Sequence, residues 1–165
     1  MKKIRISNPE LLQASYAGCM RVVTSLKRHA KGRYGATEGM DGRWQSDIIG
    51  CVGELVVAKM LDKFWSGAIG TYHPGDVGAY EVRATSKPQN TSLLLHPPDG
   101  DDKLFFLVIP TTDPQVFDVH GPILARHGKL KEYWQTLRGR SAFFVPRELV
   151  EQHGAGLLSD IRGAA

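Results

Sequence analysis

The stretch GDVGAYEVRATSK, residues 75–87, places Asp76, Glu81 and Arg83 close together in a chain where 21 Lys and Arg outnumber 17 Asp and Glu. Carboxylates that converge beside a fixed positive charge suit a divalent cation, because Mg²⁺ prefers hard oxygen ligands and completes its shell with water and substrate phosphate. A third carboxylate, Glu54, lies in the apolar run DIIGCVGELVVAKMLDKF. Its neighbours one helical turn away are small or apolar, so an unpaired charge there is costly and Glu54 requires a partner. One divalent ion would satisfy Glu54, Asp76 and Glu81 together. The spacing equally allows a Glu81–Arg83 ion pair, an Asp76 that only caps a turn, and a Glu54 paired with Lys59 or Lys63.

The elements that must position these groups follow from periodicity. Over Tyr80 to Ser86 the alternation of a strand puts Glu81, Arg83 and Thr85 on one face and Tyr80, Val82 and Ala84 on the other. Pro74, Gly75 and Gly78 form a bend that folds Asp76 back toward the start of that strand. Upstream, Pro9 opens a helix whose apolar residues recur at helical spacing from Leu11 to Leu26, ending near Lys31-Gly32. GRYGATEGMDGR, with four glycines, reads as a loop, and Ser46 then caps a buried helix from Asp47 to Leu61. Gly50 and Gly53 inside it each cost about 1 kcal/mol relative to Ala, so both imply a close neighbour.

Downstream the β-type runs are GAIGTYH, AYEVRATS, SLLLH, LFFLVIP and QVFDVH, followed by a helix near Lys129 to Leu137, a strand SAFFVP and a short helix from Pro146. This order predicts a single α/β domain over residues 1–165, an α/β/α sandwich with a central sheet of four to five strands.

Charge is distributed unevenly. No acid occurs from Leu11 to Thr37, where Arg21, Lys27, Arg28, Lys31 and Arg33 fall. A second basic stretch carries Arg126, Lys129, Lys131, Arg138 and Arg140 around Tyr133 and Trp134. Basic side chains around aromatics suit a phosphate backbone with unstacked bases, whereas a solvated helix face would look the same. Two distant cysteines, Cys19 and Cys51, read as reduced packing thiols. No apolar run reaches the roughly 18 residues of a membrane span, and the first residues lack a signal-peptide core, so a soluble intracellular protein is expected. Walker glycines, a GxSxG elbow and a dinucleotide fingerprint are all missing, which argues against nucleotide cofactors and hydrolase triads. His73 reads as a surface histidine beside the cluster, and Asp99, Asp101 and Asp102 as a polar hairpin turn.

IGCVGELVVAKML followed by GDVGAYEVRATSK resembles the PD-(D/E)XK nuclease superfamily, in particular small bacterial and phage members with a GxxGE helix. The similarity covers Ile49 to Ser86, with weaker likeness in LFFLVIP and FDVHG. It implies a restriction-endonuclease-like fold and Mg²⁺- or Mn²⁺-dependent hydrolysis of phosphodiesters in nucleic acid, DNA first, with water as the nucleophile. It also implies a cytoplasmic setting, bacterial or phage-encoded, and a homodimer as one way to cut both strands. By position, Glu54, Asp76 and Glu81 would bind the metal and Arg83 would stand where the family has its catalytic Lys. Two departures stand out: Gly75 precedes the Asp where the family has Pro, and Arg83 replaces Lys. Arginine stays protonated, so it cannot serve as a base, although it can orient water or hold phosphate. Lys87 is a further candidate for that role if the strand stays extended past Ser86. The competing readings are a noncatalytic nucleic-acid- or protein-binding module on the same fold, with Arg83 marking lost chemistry, and a structural or inhibitory viral protein.

Overall fold

Two sheets organise the chain. The computed structural model describes residues 1–28, 39–69, 75–137 and 140–163. The larger sheet has the order β1-β5-β4-β2, built from β1 (Lys2–Arg5), β5 (Val116–Leu124), β4 (Leu104–Pro110) and β2 (Tyr80–Ala84). It is mixed: β2 runs parallel to β4, while β4 with β5 and β5 with β1 are antiparallel. The smaller sheet, β3 (Ser92–Leu95), β7 (Arg140–Pro146) and β6 (Trp134–Leu137), is antiparallel throughout.

One face of the larger sheet is covered by α1 (Asn8–Lys27) and α2 (Met40–Met60), where Val52, Val56 and Leu55 pack on Val82, Phe106, Val108 and Val119. On the opposite face Phe105, Leu107, Ile109 and Ile123 meet Leu93 and Leu95 of β3, Val145 of β7, and Val150 of α4 (Arg147–Gly163). The class is α/β, as expected, and the central sheet has four strands. The second outer layer departs from the α/β/α expectation, because it combines a small sheet with one helix. β4 explains this: Phe105 to Ile109 are all buried, so both of its faces need apolar cover.

Several boundaries also differ. Ser7 caps α1, its hydroxyl accepting from Glu10 N while the Glu10 carboxylate accepts from Ser7 N at 2.6 Å, a reciprocal capping box. That helix ends at Lys27 rather than near Lys31. α2 begins at Met40 behind Gly39, so Ser46 lies inside the helix and is not its cap. α1 and α2 approach closely just past these extra turns, where a Cβ on Gly18 would come within 2.5 Å of Ile48 Cα. Lys129 to Leu137 does not form a helix. A 3₁₀ turn at Lys131–Tyr133 leads into β6, where Trp134 packs edge-on against Phe143 at 4.8 Å. A short helix α3 (Ala125–Gly128) precedes it, and α4 is longer than expected. Gly67 to Ile69 are irregular rather than a strand, and the rest of that run, 70–73, lies outside the described residues. Among the described residues no helix is long and apolar enough to cross a membrane.

The two α2 glycines separate cleanly. A Cβ on Gly53 would sit 2.6 Å from Ala84 Cβ and 3.3 Å from Val82 Cγ1, whereas on Gly50 it would meet nothing within 4 Å. Gly53 is thus the point where helix and β2 touch, and Gly50 has no such neighbour. Gly50→Ala is expected to raise stability by about 0.5–1 kcal/mol through helix propensity, and Gly53→Ala to lower it by about 1–3 kcal/mol through overpacking. Urea denaturation of the two variants measures both, and equal signs would contradict this packing.

Candidate functional site

The bend before β2 is set by glycine. Gly78 has φ +61°, and a Cβ on Gly75 would meet Gly78 O at 2.5 Å. Tyr80 O accepts from Asp76 N at 2.8 Å and from Val77 N at 3.1 Å, closing the turn. Asp76 therefore folds back as its flanking glycines predict, and its Oδ2 accepts from Val82 N at 2.8 Å. Burial pushes the Asp76 carboxyl up to about 6, opposed by the Val82 N–H, with the negative charges of Glu54 and Glu81 raising it further and Arg83 lowering it. Glu54 and Glu81 both lie near enough to Asp76 for their charges to raise its carboxyl.

Glu54, 5% exposed on α2, does have a partner. Arg21 of α1 donates through Nη1 to Oε1 at 2.6 Å and through Nη2 to Oε2 at 2.8 Å, and Trp65 Nε1 donates to Oε2 at 3.2 Å. Arg21 Nε is fixed as well, donating to Ala68 O at 2.9 Å. This replaces two expectations. Glu54 is not paired with Lys59, which binds Glu10 at 2.8 Å, and Arg21 is a buried-side partner of a carboxylate rather than a surface contact for phosphate. With donors on both oxygens, Glu54 is not a free metal ligand. Among the described residues, no group of three or more His, Cys, Asp or Glu side chains is arranged to hold a metal ion.

Glu81 and Arg83 share a face, as the alternation requires, but each has a nearer partner. Lys103 Nζ donates to Glu81 Oε1 at 2.5 Å, while Arg83 Nη1 stands 4.0 Å from Glu81 Oε2. Arg83 Nη2 donates to both oxygens of Asp99, at 3.1 and 3.2 Å, and its guanidinium lies 5.0 Å from the centre of the Phe105 ring. Asp99 does form a turn, accepting from His96 N at 2.8 Å, but it is buried and anchors Arg83. Asp99 was read only as part of a polar hairpin turn and Lys103 not at all; the signal for Asp99 was an acid behind two prolines, between the apolar runs SLLLH and LFFLVIP. Lys87 does not extend the Glu81 face. β2 ends at Ala84, and Thr85 Oγ1 turns to accept from Lys87 N at 3.2 Å.

The basic stretches divide. Lys129, mostly buried, ties down the turn after β3, donating to Pro97 O, Asp99 O and Asp101 Oδ1, so it is an internal anchor rather than a phosphate contact. Arg126 pairs with Asp102 at 2.5 Å. Lys27, Arg28, Lys131 and Trp134 are exposed. Arg140 opens β7, while Lys31, Arg33, Arg138 and His73 lie outside the described residues.

Of the three predicted ligands, Glu54 is paired with Arg21 and Glu81 with Lys103, while the Asp76 carboxyl is raised chiefly by burial and then by Glu54 and Glu81. No family model matches the sequence, and no curated protein or solved structure matches it.

Proposed function

We propose that this chain is a metal-dependent nuclease that hydrolyses phosphodiester bonds of nucleic acid, DNA first, on a restriction-endonuclease-like fold. The observation that carries this reading is the Asp76 carboxyl, pushed up to about 6 by burial and by Glu54 and Glu81. Such a group is poised to exchange its proton for a cation near neutral pH. Asp76 and Glu81 would hold Mg²⁺ or Mn²⁺, which when bound supplies a water of lowered pKa and polarises the phosphoryl oxygen.

The remaining work falls to the chain. The glycine bend fixes Asp76 against Val82 N. Asp99 and the Phe105 ring fix the Arg83 guanidinium beside Glu81, where a permanent charge opposes the negative charge that develops on phosphate. Arg21 and Trp65 occupy both oxygens of Glu54 behind the site.

A specific observation favours the second reading, a noncatalytic binding module. Glu54, Glu81 and Asp99 each have an internal cation, Arg21, Lys103 and Arg83. A retired site would be closed in this way. Labelled single- and double-stranded DNA and RNA, incubated with the protein in Mg²⁺, Mn²⁺ or EDTA, separate the two. Metal-dependent cutting is the expected result; a gel shift without cutting under any metal would transfer the chain to the binding-module reading.

A further inference from the structure

The family resemblance gives Arg83 the place of the catalytic Lys, yet the geometry commits Arg83 elsewhere. Its Nη2 is shared between the two Asp99 oxygens, its guanidinium lies over Phe105, and its side chain is 25% exposed. A guanidinium held by Asp99 and Phe105 has little freedom to follow a ligand. Lys103 differs in each respect. Its ammonium pairs with Glu81 Oε1, and its side chain is 46% exposed.

The base of Lys103 is nonetheless fixed. Lys103 N donates to Gly100 O at 3.1 Å, Lys103 O accepts from Ala125 N at 2.9 Å, and the next residue, Leu104, pairs with Tyr80 in the parallel ladder. Residues 96–103 thus place two cations' worth of control on β2: Asp99 locks Arg83, and Lys103 reaches Glu81 from solvent. A flexible stem on a rigid base, ending in a compact charge, is what a mobile phosphate contact needs. The pair with Glu81 is open to solvent on the lysine side, and such pairs exchange readily.

We propose that Lys103 grips the substrate phosphate beside Glu81, in the place that the family resemblance gives to Arg83. The proposal rests on the nucleic-acid reading of this site and identifies which side chain meets the substrate. Arg83 is then a fixed background charge, and Asp99 acts through it.

Two readouts test this. In EDTA, where no cutting occurs, the affinity for a labelled DNA duplex is measured against salt for wild type, Lys103→Gln, Lys103→Arg and the control Lys59→Gln, an equally exposed lysine that pairs with Glu10 of α1 and not with a carboxylate of the site. One lost phosphate contact lowers the slope of log affinity against log salt by about 0.9. That drop is expected for Lys103→Gln, with Lys103→Arg and Lys59→Gln close to wild type. In Mn²⁺, Lys103→Gln is expected to cut about 100-fold more slowly. An unchanged slope in a protein that binds and cuts reduces Lys103 to a partner of Glu81 and overturns the proposal, while the nuclease reading survives. A wild type that binds without cutting ends the nuclease reading, and the slope still decides whether Lys103 touches phosphate. A wild type that does not bind DNA overturns both.

Discussion

Asp76→Asn is expected to make the protein more stable and at least about 100-fold less active, the upper end of what disturbing a metal's surroundings costs. Asn keeps an oxygen for the Val82 N–H and loses only the charge that its neighbours oppose. The folded-state pKa of Asp76, about 6, lies above the ordinary aspartate value of 3.8. The folded chain therefore binds more protons than the unfolded chain between those values. Its stability from this group is fully present below pH 4 and is lost as pH rises through about 6. At pH 8 the charged carboxylate should cost on the order of 2 kcal/mol, so Asn gains that amount, a rise in Tm of roughly 4–8 °C. At pH 4 wild type and variant should melt together. Thermal melts at pH 4, 6 and 8, with and without Mn²⁺, check every part: Mn²⁺ should raise the wild-type Tm at pH 8 and leave Asp76→Asn unmoved. Equal Tm values at pH 8 would mean that Asp76 bears no excess negative charge, and the metal reading would lose its main support.

Arg21→Ala should be the most destabilising single change at the site. It strips both Nη donors from Glu54, a carboxylate 5% exposed, and leaves it only Trp65. Breaking a buried ion pair from one side typically costs about 3–5 kcal/mol, because the remaining charge has no water to turn to. For a chain of this size that lowers Tm by roughly 10 °C. The double variant Arg21→Met/Glu54→Gln removes the charge as well and keeps an acceptor for Trp65. It should recover most of the loss. A calorimetric cycle over the two single variants and the double gives the coupling directly. If Arg21→Ala unfolds within about 1 kcal/mol of wild type, Arg21 is a surface residue, free for nucleic acid as its sequence position implies.

What the sequence made legible was local. The Asp76 bend and the shared face of Glu81 and Arg83 follow from glycine conformations and from a period of two, both readable within a dozen residues. The pairing of charges was not legible, because each partner arrives from another element: Arg21 from α1 to Glu54 on α2, Lys103 and Asp99 from the turn after β3 to β2. Sequence shows that a buried acid needs a cation and leaves open which of many supplies it. The same limit hid the basic residues' division of labour, since Lys129 looks like any exposed lysine until the turn it holds is seen. Leu130, Trp134 and Leu137 fall at helical spacing, which suggested a helix; pairing with β7, four partners in register, decided for a strand. β1 was missed because Lys-Lys-Ile-Arg is short and mostly charged, and only Val116 to Val119, far along the chain, makes it a strand.

That last pairing reaches into how the molecule comes into being. β1 is an edge of the central sheet, and it pairs with residues more than a hundred positions later, Lys2 with Val119 and Arg5 with Val116. α1 and α2, made early, present apolar faces whose cover, β4 and β5, has yet to be synthesised. The nascent chain carries that exposed surface until β4 and β5 are made, and β1 finds its partner only once residues 116–119 exist. Distant contacts of this kind slow folding and raise exposure to aggregation. The carboxylate site sits on the opposite edge strand, β2, whose neighbour β4 also arrives later. Asp99 and Lys103, which pair with Arg83 and Glu81, also follow β2 in the chain, so the charges of the site come together only after residue 103 is made.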